Sequence, residues 1–460
     1  VVRRHGKLRH AGRGQLLLLG PLTRTSLSST APAALAALLV LSSSIPAPPG
    51  AWEGKEIEAL AGRIAKQHGL ALTAPVRWTM LGREKLRARL RMLVAAQYTA
   101  EEIVDEGRLL VRLGLLEAGT PYDEVIYSLL EEQILGLYDP QGDELLLLEG
   151  SDPLMLQGTL VHELTHAVQD QNFDLSALSD RKPGAGDRNA ALEAVAEGDA
   201  LLMEQVLSGF LLPESITAEQ MKMLMKLAPI EGPAFAKAPG FIRSVLLFPY
   251  LYGFVLARST YARGGYEAVN ELFRNPPAST EQVLHPERLG TDPPLELGLG
   301  TPEGLAGLYR VAADDVLGEF ALSAWLEEWI GHHEAVAAAA GWGGDRYIFL
   351  WPSSKHVGEG HLGHGVLVLV SAWDRAGDDD PDAEAAEFAS ALDLYLSERY
   401  PDAARTHEAG TTSTHITGGQ VALVERRGRT VLFVEGLPEA PHKAMRAVTQ
   451  ALWAGATGIP

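Results

Sequence analysis

The sequence predicts an α+β chain, mainly helical, with a smaller α+β region at its C-terminal end. Two observations carry that reading. From residue 52 to about 335, apolar residues recur at helical spacing in one segment after another. From residue 341 the texture changes to short apolar runs at 347–351, 366–371, 420–424 and 430–435, separated by helical stretches at 383–399 and 440–453. The organisation expected is a leader over 1–51, a main domain with N-terminal helices over 52–335, and the α+β region over 336–460. The boundary is placed at the alanine-rich stretch 335–340.

Taken in order, residues 1–51 carry six basic residues and no acid, then a short apolar run at 31–41, then small residues and prolines. Basic, apolar, small is the layout of an export signal, so a periplasmic or extracellular destination is expected. An uncleaved leader anchoring the chain to a membrane is the alternative. Elsewhere no apolar run of the roughly 18 residues a membrane helix needs is expected. The chain has 39 Lys and Arg against 59 Asp and Glu, a net charge of −20. That balance argues against a nucleic-acid partner, because phosphate binding needs a basic surface. There is no cysteine, hence no disulfide framework and no thiolate metal site.

Residues 52–70 read as one amphipathic helix and 75–80 alternate like a strand. Residues 82–97, 100–116 and 121–134 read as helices. Tyr138 and the run 145–148 flank the turn signals Asp139-Pro140 and Gln141-Gly142, which makes them strand candidates. Such a hairpin is read equally as an ordinary core element or as an edge strand that could pair with an extended peptide.

The next helix carries the chemistry. Ser151-Asp152-Pro153 reads as its start, and His162-Glu163-Leu164-Thr165-His166 lies within it. Residues four apart share a helix face, so His162 and His166 can hold one metal ion while Glu163 reaches a water on it. Two imidazoles and a carboxylate with one open position are the usual catalytic set for zinc, so Zn2+ is the expected cofactor. Glu163 would be the general base, taking a proton from that water and passing it to the leaving amine.

A third ligand is expected from residues 190–207, a stretch apolar nearly all round that nevertheless holds Glu193, Glu197 and Asp199. Glu193 and Glu197 lie one turn apart. Glu197 is the first choice of ligand, with Glu193 as the alternative ligand or as a group orienting a histidine from behind. Residues 172–187 read as a loop and 216–229 as an amphipathic helix. Phe248-Pro249-Tyr250 opens an apolar helix running to about residue 262. Tyr250, Tyr252, Tyr261 and His285 are candidates for stabilising an oxyanion, and nothing in their spacing selects one.

The residues at this point resemble a known group. His162-Glu163-Leu164-Thr165-His166, with a glutamate on the following helix, looks like the gluzincin branch of zinc metallopeptidases. The wider run, Gly136-Leu137-Tyr138-Asp139-Pro140, then HELTHAVQDQNFDL, then Ala196-Glu197-Gly198-Asp199-Ala200, is similar to a bacterial and archaeal HELTHALQDQ-type family. Pro277–Pro286, Gly341–Tyr347 and Ala372-Trp373-Asp374 fit it too, so the resemblance spans roughly residues 70–435. It implies a zincin-like domain over 52–335 and a zinc metalloendopeptidase. In that reading His162, His166 and Glu197 are ligands, Glu163 is the base, and a peptide or protein is the substrate. The chain lacks the Asn-Glu-x-x-Ser-Asp pattern of the thermolysin group and the third histidine of the metzincins. The reading from another class is a non-catalytic exported binding module with a structural metal or none.

Two further stretches invite a metal reading. Three histidines at 356–364 are expected to sit in a loop between strands. Asp378, Asp379, Asp380 and Asp382 lack the glycine and final glutamate of a calcium loop and suit a helix N-terminus instead.

Overall fold

The computed structural model describes residues 52–460 except 141, 179–181, 228–231, 302, 357–363, 375–379 and 409–411. The expected leader and most of the 356–364 histidine run therefore lie outside the described residues. The fold is α+β.

Helix α1 (Gly54–His68) buries Ile57, Leu60, Ala61 and Ile64, the spacing of one helix face. A capping box between Glu53 and Glu56 starts it, and Gly69 at φ 70° ends it in the left-handed conformation. After β1 (Arg77–Leu81) come α2 (Arg83–Gln97), α3 (Ala100–Arg112) and α4 (Tyr122–Gln133), then the hairpin β2 (Gly136–Asp139) and β3 (Glu144–Leu148). These strands form a small sheet in the order β1-β3-β2, with β1 parallel and β2 antiparallel to β3. All four residues of β2 are buried.

Helix α5 (Pro153–Phe173) carries the histidine motif. The short α6 (Leu175–Leu178) leads to α7 (Gly186–Ser208), α8 (Ala218–Leu227), α9 (Pro233–Lys237) and the long α10 (Gly240–Arg274). Helix α7 has almost no exposed face, as expected of a helix apolar all round. It crosses α10 at glycines. A Cβ on Gly198 would stand 2.0 Å from the Gly253 carbonyl oxygen, and one on Gly253 would stand 2.0 Å from that of Ala194. Only glycine permits backbones this close.

Helix α10 corrects two expectations. It runs past residue 262 to Arg274 across a kink at Gly264 and Gly265. It is also apolar and long enough to cross a membrane, with 56% of its most apolar window buried inside the fold. Arg243, Pro249 and the tyrosines interrupt a simple apolar run, while the averaged hydropathy stays high. Its buried residues, Phe241 to Phe273, pack in the core.

Helices α11 (Thr280–Leu284) and α12 (Glu303–Ala306) precede β4 (Tyr309–Asp315), α13 (Gly318–Ile330), α14 (His332–Ala339), β5 (Trp342–Pro352) and β6 (Val366–Trp373). The chain ends with α15 (Pro381–Arg399), β7 (Ala404–Glu408), β8 (Thr412–Thr417), β9 (Gln420–Arg427), β10 (Thr430–Pro438) and α16 (His442–Gly455). Asp380 caps α15 through the Asp382 amide, at 3.0 Å. The seven strands form one antiparallel sheet in the order β4-β5-β6-β10-β9-β8-β7.

Strand alternation gives this sheet two buried faces. Phe349, Leu367, Leu369 and Phe433 join the large core that begins at Trp52. Ile348, Leu350, Val366, Val368, Leu432 and Val434 face Leu452 and Trp453 of α16. The main core thus runs through the helices and one face of the sheet. The sheet begins at Tyr309, ahead of the boundary expected near 335. Residue 335 lies inside α14, where Ala335, Ala338 and Ala339 are buried by close packing.

Candidate metal centre

Helices α5 and α7 bring the predicted residues together. His162 Nε2 lies 3.0 Å from Glu197 Oε2, and His166 Nε2 lies 3.4 Å from Glu197 Oε1. The three side chains offer donor atoms within 4.8 Å of one another. All are buried, at 3%, 1% and 2% exposure for His162, His166 and Glu197. Nitrogen and oxygen donors about 2.0–2.2 Å from one tetrahedral zinc stand roughly 3.3–3.5 Å apart, so this spacing fits a shared ion.

The other ring nitrogens are occupied. His162 Nδ1 lies 2.8 Å from Glu204 Oε1, and His166 Nδ1 lies 2.8 Å from Gln169 Oε1. Acceptors on both Nδ1 atoms fix the tautomer that leaves both Nε2 atoms facing Glu197. Gln169 in turn donates to Asp199 Oδ2 at 2.7 Å and to the Ala196 carbonyl at 3.1 Å. Asp199 also meets His68 Nε2 at 3.0 Å, and His68 Nδ1 meets Asn270 Oδ1 at 3.0 Å. A polar chain therefore links α1, α5, α7 and α10 behind the rings. The contacts run in opposite order along α5 and α7, His162 to Glu204 and Gln169 to Ala196, so the two helices are antiparallel.

Glu193, the alternative to Glu197, is buried on the same helix. It stands one turn before Glu197, and no bond to either ring reaches it among the described residues. The group behind His162 is Glu204, two turns after Glu197 on the same face. Seven residues are two helical turns, so the spacing of Glu197 and Glu204 is the signal in the sequence that points to this face. Gln169, Glu204 and His68 are the residues that sequence reasoning missed.

Charge and burial shape the acids differently. At Glu197 burial opposes ionisation, but the charge and hydrogen bonds of both rings overcome it and hold the carboxyl well below the usual range. Burial likewise works against an imidazolium at His162, yet Glu197 and Glu204 more than offset it and lift it well above the ordinary value. Glu193 is raised well above the carboxylate range by burial and by the charge on Glu197. Glu163, fully buried, is pushed up to about 7 by burial, a shift that the two histidines only partly oppose.

Glu163 is anchored by the hairpin. Its Oε2 accepts the Tyr138 amide of β2 at 2.7 Å, while its Oε1 is buried with no hydrogen-bond partner. The outward edge of β2 is thus engaged by the motif helix at Tyr138. The rest of the motif ties α5 to its surroundings. Tyr138 Oη donates to Asp170 at 3.1 Å, and Gln171 Oε1 accepts from the amides of Thr73 and Ala74.

Of the oxyanion candidates, Tyr250 lies with its ring centroid 6.5 Å from that of His162. Tyr252 packs against Phe248 and Phe320, and Tyr261 against Tyr266. His285 bonds Glu319 at 2.9 Å in a different cluster. A large cleft of about 1610 Å³ lies elsewhere, lined by Arg83, Arg112, Pro233, Arg399 and Gln420 among others, and touches none of the centre's residues.

Comparison with known families finds one match, to a domain of unknown function (DUF8575) over residues 308–447. That range covers β4 to the first part of α16 and leaves the histidine motif outside. No curated protein and no solved structure matches the chain.

Proposed function

We propose that this chain is an exported, zinc-dependent metalloendopeptidase with a zincin-like catalytic centre. The observation that supports it is the convergence of His162 Nε2, His166 Nε2 and Glu197 while Glu163, one residue along the same helix, keeps a buried carboxylate oxygen without a partner. His162, His166 and Glu197 would hold zinc, which would supply Lewis acidity and make water a nucleophile at neutral pH.

The chain's own residues do the rest. Glu204 and Gln169 hold the two rings in the tautomer that presents Nε2. Glu163 is poised near neutrality, where a group can both take and return a proton. The Tyr138 amide fixes one of its oxygens and leaves Oε1 for the proton. The centre is buried, with none of its four residues more than 3% exposed, and a low local dielectric strengthens these interactions.

A second reading, a non-catalytic module with a structural metal, draws on the burial of the centre, whose four residues are at most 3% exposed. The two differ at Glu163, which a purely structural site does not need. The test is cleavage of casein or a peptide library by the zinc-loaded protein and by Glu163→Gln. Loss of cleavage with zinc retained supports the peptidase. A wild-type protein that holds zinc and cleaves nothing leaves the structural reading standing.

A further inference from the structure

A second group of acids lies away from the histidines. Glu281 on α11, Asp292 in the loop that follows, and Asp374 just after β6 place carboxylate oxygens within 4.8 Å of one another. Glu281 is only 1% exposed, while Asp292 and Asp374 are half-buried. Arg288 bonds Glu281 and stands 3.5 Å from Asp292. Arg288 and, at Asp374, Arg429 set two positive charges against these three carboxylates.

A separate observation points to a missing cation. Glu319, on α13, is 4% exposed and lies beside α11, where the next residue, Phe320, donates its amide to Thr280 at 3.3 Å. Its Oε1 takes His285 Nε2 at 2.9 Å, but its Oε2 is buried with no partner. Its charge is the largest acting on Glu281, and it also acts on Asp374 and Arg288. Asp374 Oδ1 is likewise buried without a partner. Two carboxylate oxygens shut away from water with nothing to bond are costly unless a positive charge meets them.

We propose that Glu281, Asp292 and Asp374, with Glu319 beside them, bind a hard divalent cation of the calcium type. The donors are all oxygen, which suits calcium or magnesium and not zinc. Calcium–oxygen distances of about 2.3–2.6 Å put opposite ligands roughly 4.6–5.2 Å apart, so oxygens within 4.8 Å of one another can serve one ion. The exposed side of Asp292 leaves room for waters to complete the sphere.

The ion would clamp the helical part to the sheet. Glu281 sits on α11, whose first residue, Thr280, donates to Asp187 from both its amide and its hydroxyl at the start of α7. Asp374 directly follows β6, a central strand of the sheet. The site thus braces the neighbourhood of the helix that carries Glu197 without touching the histidine centre.

The test uses the full chain loaded with zinc and titrated with terbium, a calcium substitute whose emission is sensitised by a nearby tryptophan. Trp373 adjoins Asp374 and serves as the donor. The expected result is saturable emission at one terbium per chain, reversed by calcium chloride. Asp292→Asn and Asp374→Asn, at half-buried positions, should each weaken binding roughly tenfold or more while keeping the wild-type circular dichroism spectrum. His162→Ala should leave the titration unchanged. Absence of saturable sensitised emission in the wild type, or identical titrations for wild type and both Asn variants, would overturn the proposal.

Discussion

Glu163 shows how burial can set chemistry. A carboxylate sealed under a hairpin and beside two imidazoles gains a proton affinity near neutrality, and one amide fixes its position. Glu163→Gln keeps the shape and removes the base. Turnover on peptides should fall by about 10²–10⁴-fold, with zinc content unchanged by elemental analysis. The groups behind the rings act differently. Glu204→Gln and Gln169→Leu leave the donors in place but loosen the rings, so zinc affinity measured by chelator competition should drop roughly 10- to 100-fold. The pair His162 and His166 was legible because four-residue spacing on a helix is a geometric statement. Gln169 was not, since a glutamine three residues past a histidine acquires meaning only when Asp199 and Ala196 arrive from α7.

At the scale of elements, the centre depends on how closely α7 approaches α10. Gly198 follows Glu197 directly, and its neighbour across the crossing is the Gly253 backbone. Gly198→Ala would drive a methyl into that carbonyl and push the helices apart. A loss of about 1–3 kcal/mol or more is expected from overpacking, read as a lower denaturation midpoint, with weaker zinc binding because Glu197 shifts too. Gly62→Ala on α1, where an added Cβ meets nothing within 4 Å, is the control and should not destabilise. Helices with one apolar face, such as α1, were legible from periodicity. Strand β4 and helices α13 and α14 were not. Tyr309–Asp315 ends in two aspartates that hide its pairing with β5, and the alanines of α14 read as a domain boundary although packing buries them. The role of β2 needed the tertiary contact between Tyr138 and Glu163.

At the scale of the whole molecule, buried acids gather where the helical part meets the sheet. Asp187 receives Thr280, Asp315 receives the Gly186 amide, and Asp345 receives the amides of Leu317 and Gly318. Burial nevertheless pushes Asp187 up to about 8, Asp315 up to about 7 and Asp345 up to about 6. In the folded chain these groups hold protons that the unfolded chain releases near pH 4. Their contribution is therefore complete below about pH 4 and is lost as the pH climbs through about 6 to 8. In calcium-free buffer the thermal midpoint should fall between about pH 5 and pH 9, and Asp187→Asn should flatten that slope. The meeting of these aspartates was not legible in the sequence, because it depends on contacts between distant segments, 129 residues apart for Gly186 with Asp315 and 93 for Asp187 with Thr280.

The claim on which the functional account rests is that His162, His166 and Glu197 together hold one metal ion. The direct measurement is the zinc content of purified protein, wild type beside His162→Ala, Glu197→Gln and Glu163→Gln, after dialysis against a weak chelator. The account predicts one zinc per chain in the wild type and in Glu163→Gln, with little or none in the other two. Equal zinc in all four proteins, or none in the folded wild type after zinc is supplied, would contradict it.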